Sequence, residues 1–234
     1  MFSIRQVNFL KHKSLRLFSI FFLIFCILTA ITFYGVLNKK QSLPPYIGKD
    51  LTTKEMNEVI KRNSPLTSYV HLTENADFPR QSKIKKITIH HMGANLTLEK
   101  LGESFSKRDR QASSNYAIDV HGNVALYVEE ENRAWTSANA DNDHQAITIE
   151  VANETIGGDW KISNQSYQKL IDLCVDICQR HSIEKLVYTG DKNGNLTMHK
   201  MFDADTICPG PYLESKMTDI AESVNEKLEN ETKG

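Results

Sequence analysis

A run of residues without any charge divides this chain into two unlike parts. Residues 17–37 read LFSIFFLIFCILTAITFYGVL, 21 residues without Asp, Glu, Lys or Arg. At a rise of about 1.5 Å per residue, such a helix crosses a hydrocarbon layer of about 30 Å. A cleaved signal peptide is the alternative, but its apolar core is usually about 7–15 residues and ends at a small-residue cleavage site. Because Phe33, Tyr34 and Val36 stand where small residues would be needed, the run predicts an uncleaved transmembrane anchor.

The charges on either side of this run predict its orientation. Four basic residues and no acidic residue lie in residues 1–16, whereas only Lys39 and Lys40 follow the run closely. Positive charge is retained on the cytoplasmic side of a membrane. We therefore expect a single-pass protein of the cytoplasmic membrane, with its N-terminus in the cytoplasm and its main part extracellular.

The outward part of the chain is acidic. Residues 38–234 contain 24 Lys and Arg against 29 Asp and Glu, a formal charge of −5. Proteins that bind nucleic acid present a basic surface to the phosphates. A nucleic-acid partner is therefore not expected.

The cysteines predict no disulfide framework. Cys174, Cys178 and Cys208 fall in the outward part, where disulfides could form, but three cysteines cannot all pair. The first two are four residues apart in an apolar helical stripe, where neighbouring side chains pack side by side. Cys208 stays open to several interpretations: buried packing, half of a disulfide, a nucleophile or a metal ligand.

Strand and helix patterns interleave along the outward part. Residues 38–64 are polar and contain prolines, which predicts a stalk, and a domain is expected over 65–234. Alternating apolar residues predict strands, and apolar residues at helical spacing predict helices. The predicted strands are KKITIHHMG, a hairpin turning at residues 121–123, AITIEVAN and KLVYTG, and the predicted helices are TLEKLGESFSK, residues 164–180 and PYLESKMTDIAESVNEKL. This order predicts an α/β fold with a mixed central β-sheet flanked by helices.

Two histidines and a cysteine stand where such a sheet could bring them together. His90 ends a predicted strand, and His199 and Cys208 lie in a loop region after another strand. Zinc accepts nitrogen and sulfur ligands, and a catalytic zinc site keeps one position open. Taken alone, a histidine nine residues before a cysteine is a weak signal, since an isolated cysteine is often buried packing.

Four stretches in a fixed order give a more specific signal. ITIHHMG, SSNYAID, AITIEVAN and MHKMFDADTICPGPYL together resemble the zinc-dependent N-acetylmuramoyl-L-alanine amidases of the peptidoglycan-recognition and T7 lysozyme type, over roughly residues 65–228. The resemblance implies a Zn²⁺ enzyme that hydrolyses the bond between N-acetylmuramic acid and L-alanine, with peptidoglycan (a muropeptide) as substrate.

The same resemblance assigns roles to individual residues. His90, His199 and Cys208 match the zinc ligands, and His91 is expected to point to the other side of its strand. Glu150 matches a carboxylate that acts as general base. Tyr116 matches a tyrosine that lies against the metal site and assists it.

The chain departs from the family pattern at two positions. Many relatives have a lysine two positions before the last ligand, where this chain has Thr206. Stabilisation of the tetrahedral oxyanion would then come from zinc, Thr206 or a backbone donor. Relatives also often have a histidine after the tryptophan that matches Trp135, and here Thr136 follows it.

Several alternatives stay open at this point. Glu150 could be a surface carboxylate, and Tyr116 could be packing. The domain could be a module that recognises muropeptides without cutting them, although a pure receptor would not need Cys208. The protein could also be a phage lysin with a releasable anchor, which glycine or alanine richness would favour, but the bulky apolar residues of 17–37 do not.

Overall fold

The computed structural model describes residues 43–231, together with Phe25, Cys26 and Thr29. Residues 43–231 form eight strands and five α-helices. The strands are β1 Thr67–Val70, β2 Ala76–Asp77, β3 Lys86–His91, β4 Tyr116–Ile118, β5 Val124–Leu126, β6 Arg133–Ala134, β7 Ala146–Val151 and β8 Leu196–Met198. The helices are α1 Thr53–Lys61, α2 Leu98–Phe105, α3 Ala140–Gln145, α4 Asn164–Arg180 and α5 Gly210–Glu231.

The predicted membrane anchor cannot be compared with the structure. Apart from the three residues named above, residues 17–37 lie outside the described residues. Among the residues that are described, no helix is both long enough and apolar enough to cross a membrane.

Six strands form a mixed sheet in the order β1-β5-β4-β7-β3-β8, and β2 and β6 form a separate two-stranded ribbon. In the large sheet, β4 and β5 are antiparallel and form the predicted hairpin, whereas the other neighbours run parallel. Helices flank this sheet, so the predicted α/β architecture is confirmed.

Alternation along the strands gives the sheet two different faces. Ile89, Ile149 and their neighbours on one face join the main core with residues of α4 and α5. The other face carries Ala117 and Ala125, which pack with the apolar residues of α2. Because successive strand residues point to opposite faces, His90 and Glu150 lie on this second face.

Helix α4 follows the pattern that predicted it. The Ser163 hydroxyl accepts a hydrogen bond from the backbone N–H of Ser166 (3.0 Å) and so caps the first turn. Cys174 and Cys178 are free thiols, completely buried in the main core. Their assignment as packing residues is therefore confirmed.

The segment predicted as a stalk takes part in the fold from Leu43 onward. The compact unit begins at Leu43 rather than at residue 65. Ile47 and Val59 belong to the main core, and Val59 is completely buried. Thr52 caps α1 by accepting from the Glu55 N–H (3.3 Å), while the Glu55 carboxylate accepts from the Thr52 N–H (2.8 Å). The boundary was misplaced because the short apolar stripe of α1 is surrounded by polar residues.

The strand predicted in KLVYTG is wrong. Residues 185–190 are not in a strand, and the edge strand is β8, a few residues later. The Val187 carbonyl accepts from the N–H groups of both Asn195 and Leu196 (3.0 Å each). One carbonyl that accepts from two consecutive N–H groups interrupts the regular ladder, in which each acceptor has its own partner.

Candidate active site and metal centre

The carboxyl ends of three parallel strands place the candidate site. In β3 and β7, His90 is directly opposite Glu150. In β3 and β8, Ile89 is opposite Met198, so His199, the next residue, begins beside His90. Side chains at this edge of parallel strands converge, which is why such edges hold functional sites.

The structure brings together His90, His199 and Cys208. One ligand atom from each lies within 4.8 Å of the others. The Cys208 sulfur is 3.6 Å from His90 Nδ1, and the two imidazole rings are 4.8 Å apart between centroids. Among the described residues this is the cluster of His, Cys, Asp or Glu that could hold a metal ion.

The electrostatics of the cluster fit a cation. Burial lowers the pKa of both His90 and His199, so both rings are neutral and can offer a lone pair. The Nδ1 atom of His90 faces the Cys208 sulfur at 3.6 Å, and the Nε2 atoms of both rings are buried without a hydrogen-bond partner. Burial also raises the pKa of the Cys208 thiol, and coordination to a metal would deprotonate it. Two neutral imidazoles and a thiolate are an ordinary metal-binding set.

The loop that carries Cys208 is fixed by backbone hydrogen bonds. The Lys200 N–H donates to the Cys208 carbonyl (3.0 Å), and the His91 N–H donates to the Cys208 sulfur (3.4 Å). The Thr206 hydroxyl oxygen accepts from the Cys208 N–H (3.1 Å). Thr206 therefore shapes the turn before the sulfur, and its contribution to oxyanion stabilisation stays a prediction.

Glu150 lies in the strand next to His90 and has a carboxylate oxygen, Oε2, that is buried without a hydrogen-bond partner. Burial raises the pKa of this carboxyl to about 8, although Arg110 acts in the opposite direction. Such a carboxyl is not a solvated surface group. Shifts of this kind cluster at functional sites, which supports the predicted role of general base without testing it.

The structure contradicts the placement of Tyr116 against the metal site. Tyr116 is paired with Ile149, one residue before Glu150, so its side chain lies on the opposite face of the sheet. It is completely buried in the main core. Its hydroxyl donates to Glu130 (2.6 Å) and accepts from the Ser64 N–H (2.9 Å). The alternative reading of Tyr116 as packing is the one that the geometry supports.

A groove of about 480 Å³ leads to the cluster from one side. Its walls include Trp135, Thr136, Asn139, Asp143, His199 and Asp203. The Thr136 hydroxyl donates to the Ser113 carbonyl (2.7 Å), and the Thr136 N–H donates to Asp143 (3.0 Å). Thr136, which replaces a histidine of many relatives, is therefore part of a fixed groove wall.

Two residues of the site were missed in the sequence. An oxygen of Asp203 is 3.9 Å from His199 Nε2, and the ring of Trp160 meets the ring of His91 edge-on at 5.3 Å. Asp203 lies four residues, about one helical turn, after the predicted ligand His199. This spacing could have indicated it from the sequence. Trp160 is 69 positions from His91, and no local pattern connects them.

Fold and site together define an α/β protein with a candidate metal centre suited to hydrolysis. A buried nitrogen and sulfur donor set lies at a strand edge, a carboxylate stands beside it, and a groove opens onto it. Metal hydrolases use this combination of an open metal site and a nearby proton acceptor.

The profile of the family described as N-acetylmuramoyl-L-alanine amidase matches residues 80–211, more than half of the chain. The chain therefore belongs to this amidase family and is an enzyme that hydrolyses the bond between N-acetylmuramic acid and L-alanine in peptidoglycan. The alternative of a module that only recognises muropeptides is not supported, because Cys208 is present and lies with both histidines.

Solved structures share the fold. PlyL has a TM-score of 0.53 at 16% identity, covering 67% of this chain and 95% of its own. The catalytic domain of XlyA has a TM-score of 0.51 at 14% identity, covering 67% and 97%. A Se-Met derivative of AmpD has a TM-score of 0.50 at 15% identity, covering 65% and 93%. At these identities the likeness shows the fold alone. A comparison with curated protein sequences finds no match.

Proposed function

We propose that this amidase works with one zinc ion held by His90, His199 and Cys208. The observation that carries the proposal is the convergence of the three donors within 4.8 Å. Zinc prefers this mixture of nitrogen and sulfur, whereas Mg²⁺ and Ca²⁺ prefer oxygen. When bound, zinc would polarise the scissile carbonyl and make water a better nucleophile near neutral pH.

Two side chains of the enzyme would assist the reaction. Glu150 would transfer protons, and Thr206 would donate a hydrogen bond. Glu150, on the same sheet face as His90, is placed to accept a proton from the attacking water and to return it to the leaving amine of L-alanine. The Thr206 hydroxyl oxygen accepts a hydrogen bond from the Cys208 N–H, and the same hydroxyl can still donate a hydrogen bond to the tetrahedral oxyanion.

The groove beside His199 would hold the substrate. Its volume of about 480 Å³ lies in the usual range of about 300–1,000 Å³ for ligand sites. Trp135 offers an apolar surface there, and Asp143 keeps the wall in place through Thr136. The stem peptide of a muropeptide would extend along this wall.

Metal analysis of the purified full chain tests the zinc proposal. Wild type is expected to carry one zinc per chain, and Cys208→Ala is expected to lose it because a three-donor site becomes a two-donor site. Cys174→Ala is the matched control, since Cys174 is a buried free thiol outside the site. Folded wild type that takes up no zinc, or Cys208→Ala that keeps it, would contradict the proposal.

We further propose that residues 17–37 hold the enzyme on the outer side of the cytoplasmic membrane. The uncharged run and the basic residues before it support this, as does the location of peptidoglycan outside that membrane. In cells stripped of their wall, the full chain should sediment with membranes, and added protease should degrade its C-terminal domain. Recovery in the soluble cytoplasm would contradict the proposal.

A further inference from the structure

The ring of His91 is enclosed although it is not one of the clustered donors. His91 ends β3, directly after His90, and is half-buried. Its ring meets the ring of Trp160 nearly at a right angle (83°) with 5.3 Å between centroids. Edge-to-face contacts of this kind are favourable beyond the area that they bury.

The same ring also lies close to the loop that follows Cys208. A Cβ atom added to Gly210 would lie 3.1 Å from two atoms of the His91 ring and 3.0 Å from the Cβ of Trp160. Real Cβ contacts are seldom so close, so the residue at 210 must be glycine for the ring to fit. Its φ of +83° also favours glycine. The ring of His91 thus packs against both Trp160 and the start of α5.

Trp160 is itself tied to both neighbouring segments. Its carbonyl accepts from the Asn153 side chain (2.7 Å), just after β7. Its neighbour Asp159 accepts from the N–H of Tyr212 in α5 (2.9 Å). Trp160 has a φ of +54°, which is uncommon for a bulky residue and is maintained only when the surroundings require it. The loop before α4 is therefore built to hold this ring in place.

The enclosed residue is also the one that holds the cysteine. The His91 backbone N–H donates to the Cys208 sulfur at 3.4 Å. His91 is not part of the three-residue donor cluster. The ring packs against Trp160 and shares a hydrogen bond with the Asn153 side chain, while the backbone of the same residue contacts the sulfur.

We propose that His91, packed against Trp160 and Gly210, is a positioning residue that fixes the Cys208 sulfur for metal binding. The proposal rests on the zinc site of the proposed function and adds a residue to it. Residues that orient metal ligands typically change metal affinity by about 10- to 100-fold when they are replaced. His91 is expected to do so without being a ligand.

The test measures metal binding by the full chain, independently of activity. Zinc affinity is measured by competition with a chelator, and Co²⁺ replaces zinc so that the sulfur-to-cobalt absorption band reports the Cys208 bond. His91→Ala is expected to weaken zinc binding by about 10- to 100-fold and to lower the cobalt band. His91→Phe keeps an aromatic edge against Trp160 and is expected to bind as wild type does. His121→Ala, in an exposed turn, is the control.

Each variant has a result that would contradict the proposed role of His91. His91→Ala with wild-type affinity would overturn the proposal, and so would His91→Phe as weak as His91→Ala, because a ring nitrogen would then be needed. Trp160→Leu removes the edge contact while leaving His91, and unchanged affinity there would also contradict it. If wild type itself bound no zinc, the proposed zinc function would fail first, which the wild-type measurement alone reveals.

Discussion

Strand alternation separates the chemistry of Glu150 from that of Tyr116. Tyr116 is paired with Ile149, so a single step along β7 moves from the apolar core to the metal site. Both side chains are largely shielded from water, yet one carboxylate oxygen lacks a hydrogen-bond partner whereas the tyrosine hydroxyl has two. For these two residues, the unsatisfied carboxylate oxygen agrees with a chemical role and the satisfied hydroxyl with a structural one.

Replacing Glu150 should remove catalysis and leave the metal. Glu150→Gln keeps the shape of the side chain but cannot accept a proton, so the cleavage rate should fall by about 100- to 10,000-fold. The rate is measured as release of new amino termini from purified peptidoglycan, alongside zinc content. Glu154→Gln, an exposed carboxylate three positions after the end of β7, should change neither. Full activity in Glu150→Gln would contradict its role as base.

Replacing Tyr116 should lower stability and leave the cleavage rate unchanged. Tyr116→Phe leaves the buried Ser64 N–H without a partner and removes one of the hydrogen bonds to the Glu130 carboxylate, which should lower the free energy of unfolding by about 1–3 kcal/mol. Cleavage by the folded variant should match wild type, because the hydroxyl faces away from the site. Urea unfolding and the cleavage assay measure the two quantities, with Tyr188→Phe as control. A large loss of rate with unchanged stability would return Tyr116 to the active site.

Elements with a strong pattern were predictable from the sequence, and short ones were not. β3, β7 and α4 have several apolar residues at one spacing and were correctly predicted. KLVYTG has the composition of a strand, but its Val187 carbonyl accepts from two consecutive N–H groups, which interrupts regular strand pairing. The segment with α1 resembled a stalk in its sequence. Its burial depends on contacts with residues far along the chain, and a local sequence pattern does not reveal such contacts.

Helix α1 should contribute to stability as part of the domain. Val59 is completely buried in the main core, so Val59→Ala should lower the free energy of unfolding by about 2 kcal/mol through lost burial and a cavity. Both tryptophans of the chain, Trp135 and Trp160, lie in this unit, and their fluorescence reports its unfolding in urea. Val187→Ala, 40% exposed, should have little effect. Equal stability of Val59→Ala and wild type would restore the stalk interpretation.

The molecule also contains a buried charge cluster on the side of the sheet away from the metal site. Glu130 is only 3% exposed. It accepts from the Tyr116 hydroxyl (2.6 Å), from His181 (2.7 Å) and from Arg180 (2.7 Å). The Asn63 side chain accepts from the Glu130 N–H (2.8 Å). The cluster therefore joins the end of α4 to the segment after α1.

Because of this cluster, the free energy of unfolding should fall as the pH becomes acidic. Burial pushes the pKa of Glu130 upward, but hydrogen bonds from His181 and Arg180 outweigh it and hold the pKa at about 2, against an ordinary value of 4.5. Since the folded pKa is depressed, the stabilisation is fully present above pH 4.5 and is lost as pH falls toward 2. The loss amounts to about 3 kcal/mol at most.

Urea unfolding over this pH range measures the effect. Wild type should lose more stability between pH 4.5 and pH 2 than Glu130→Gln, which has no carboxyl to protonate there. Glu131→Gln, the exposed neighbour, should follow wild type. Parallel pH profiles for wild type and Glu130→Gln would contradict the assignment.

The three proposed ligands could be found from the sequence, whereas the residues that surround and position them could not. His90, His199 and Cys208 belong to motifs whose order is specific, and the structure brings them together. The groove, Asp203 and the Trp160 contact with His91 depend on loops that meet only after folding. Tyr116 was misassigned because a motif match does not say toward which face of a strand a residue points.

The identity of the bond that is cut, and its dependence on zinc, tests the central claim most directly. Full-length protein is incubated with a muropeptide of defined composition, first after removal of metal and again after zinc is restored. The masses of the products are measured by mass spectrometry. The account predicts a free lactyl carboxyl on N-acetylmuramic acid and a stem peptide beginning with L-alanine, formed only with zinc and not by Cys208→Ala. Cleavage at any other bond, or the same cleavage by metal-free protein, would contradict it.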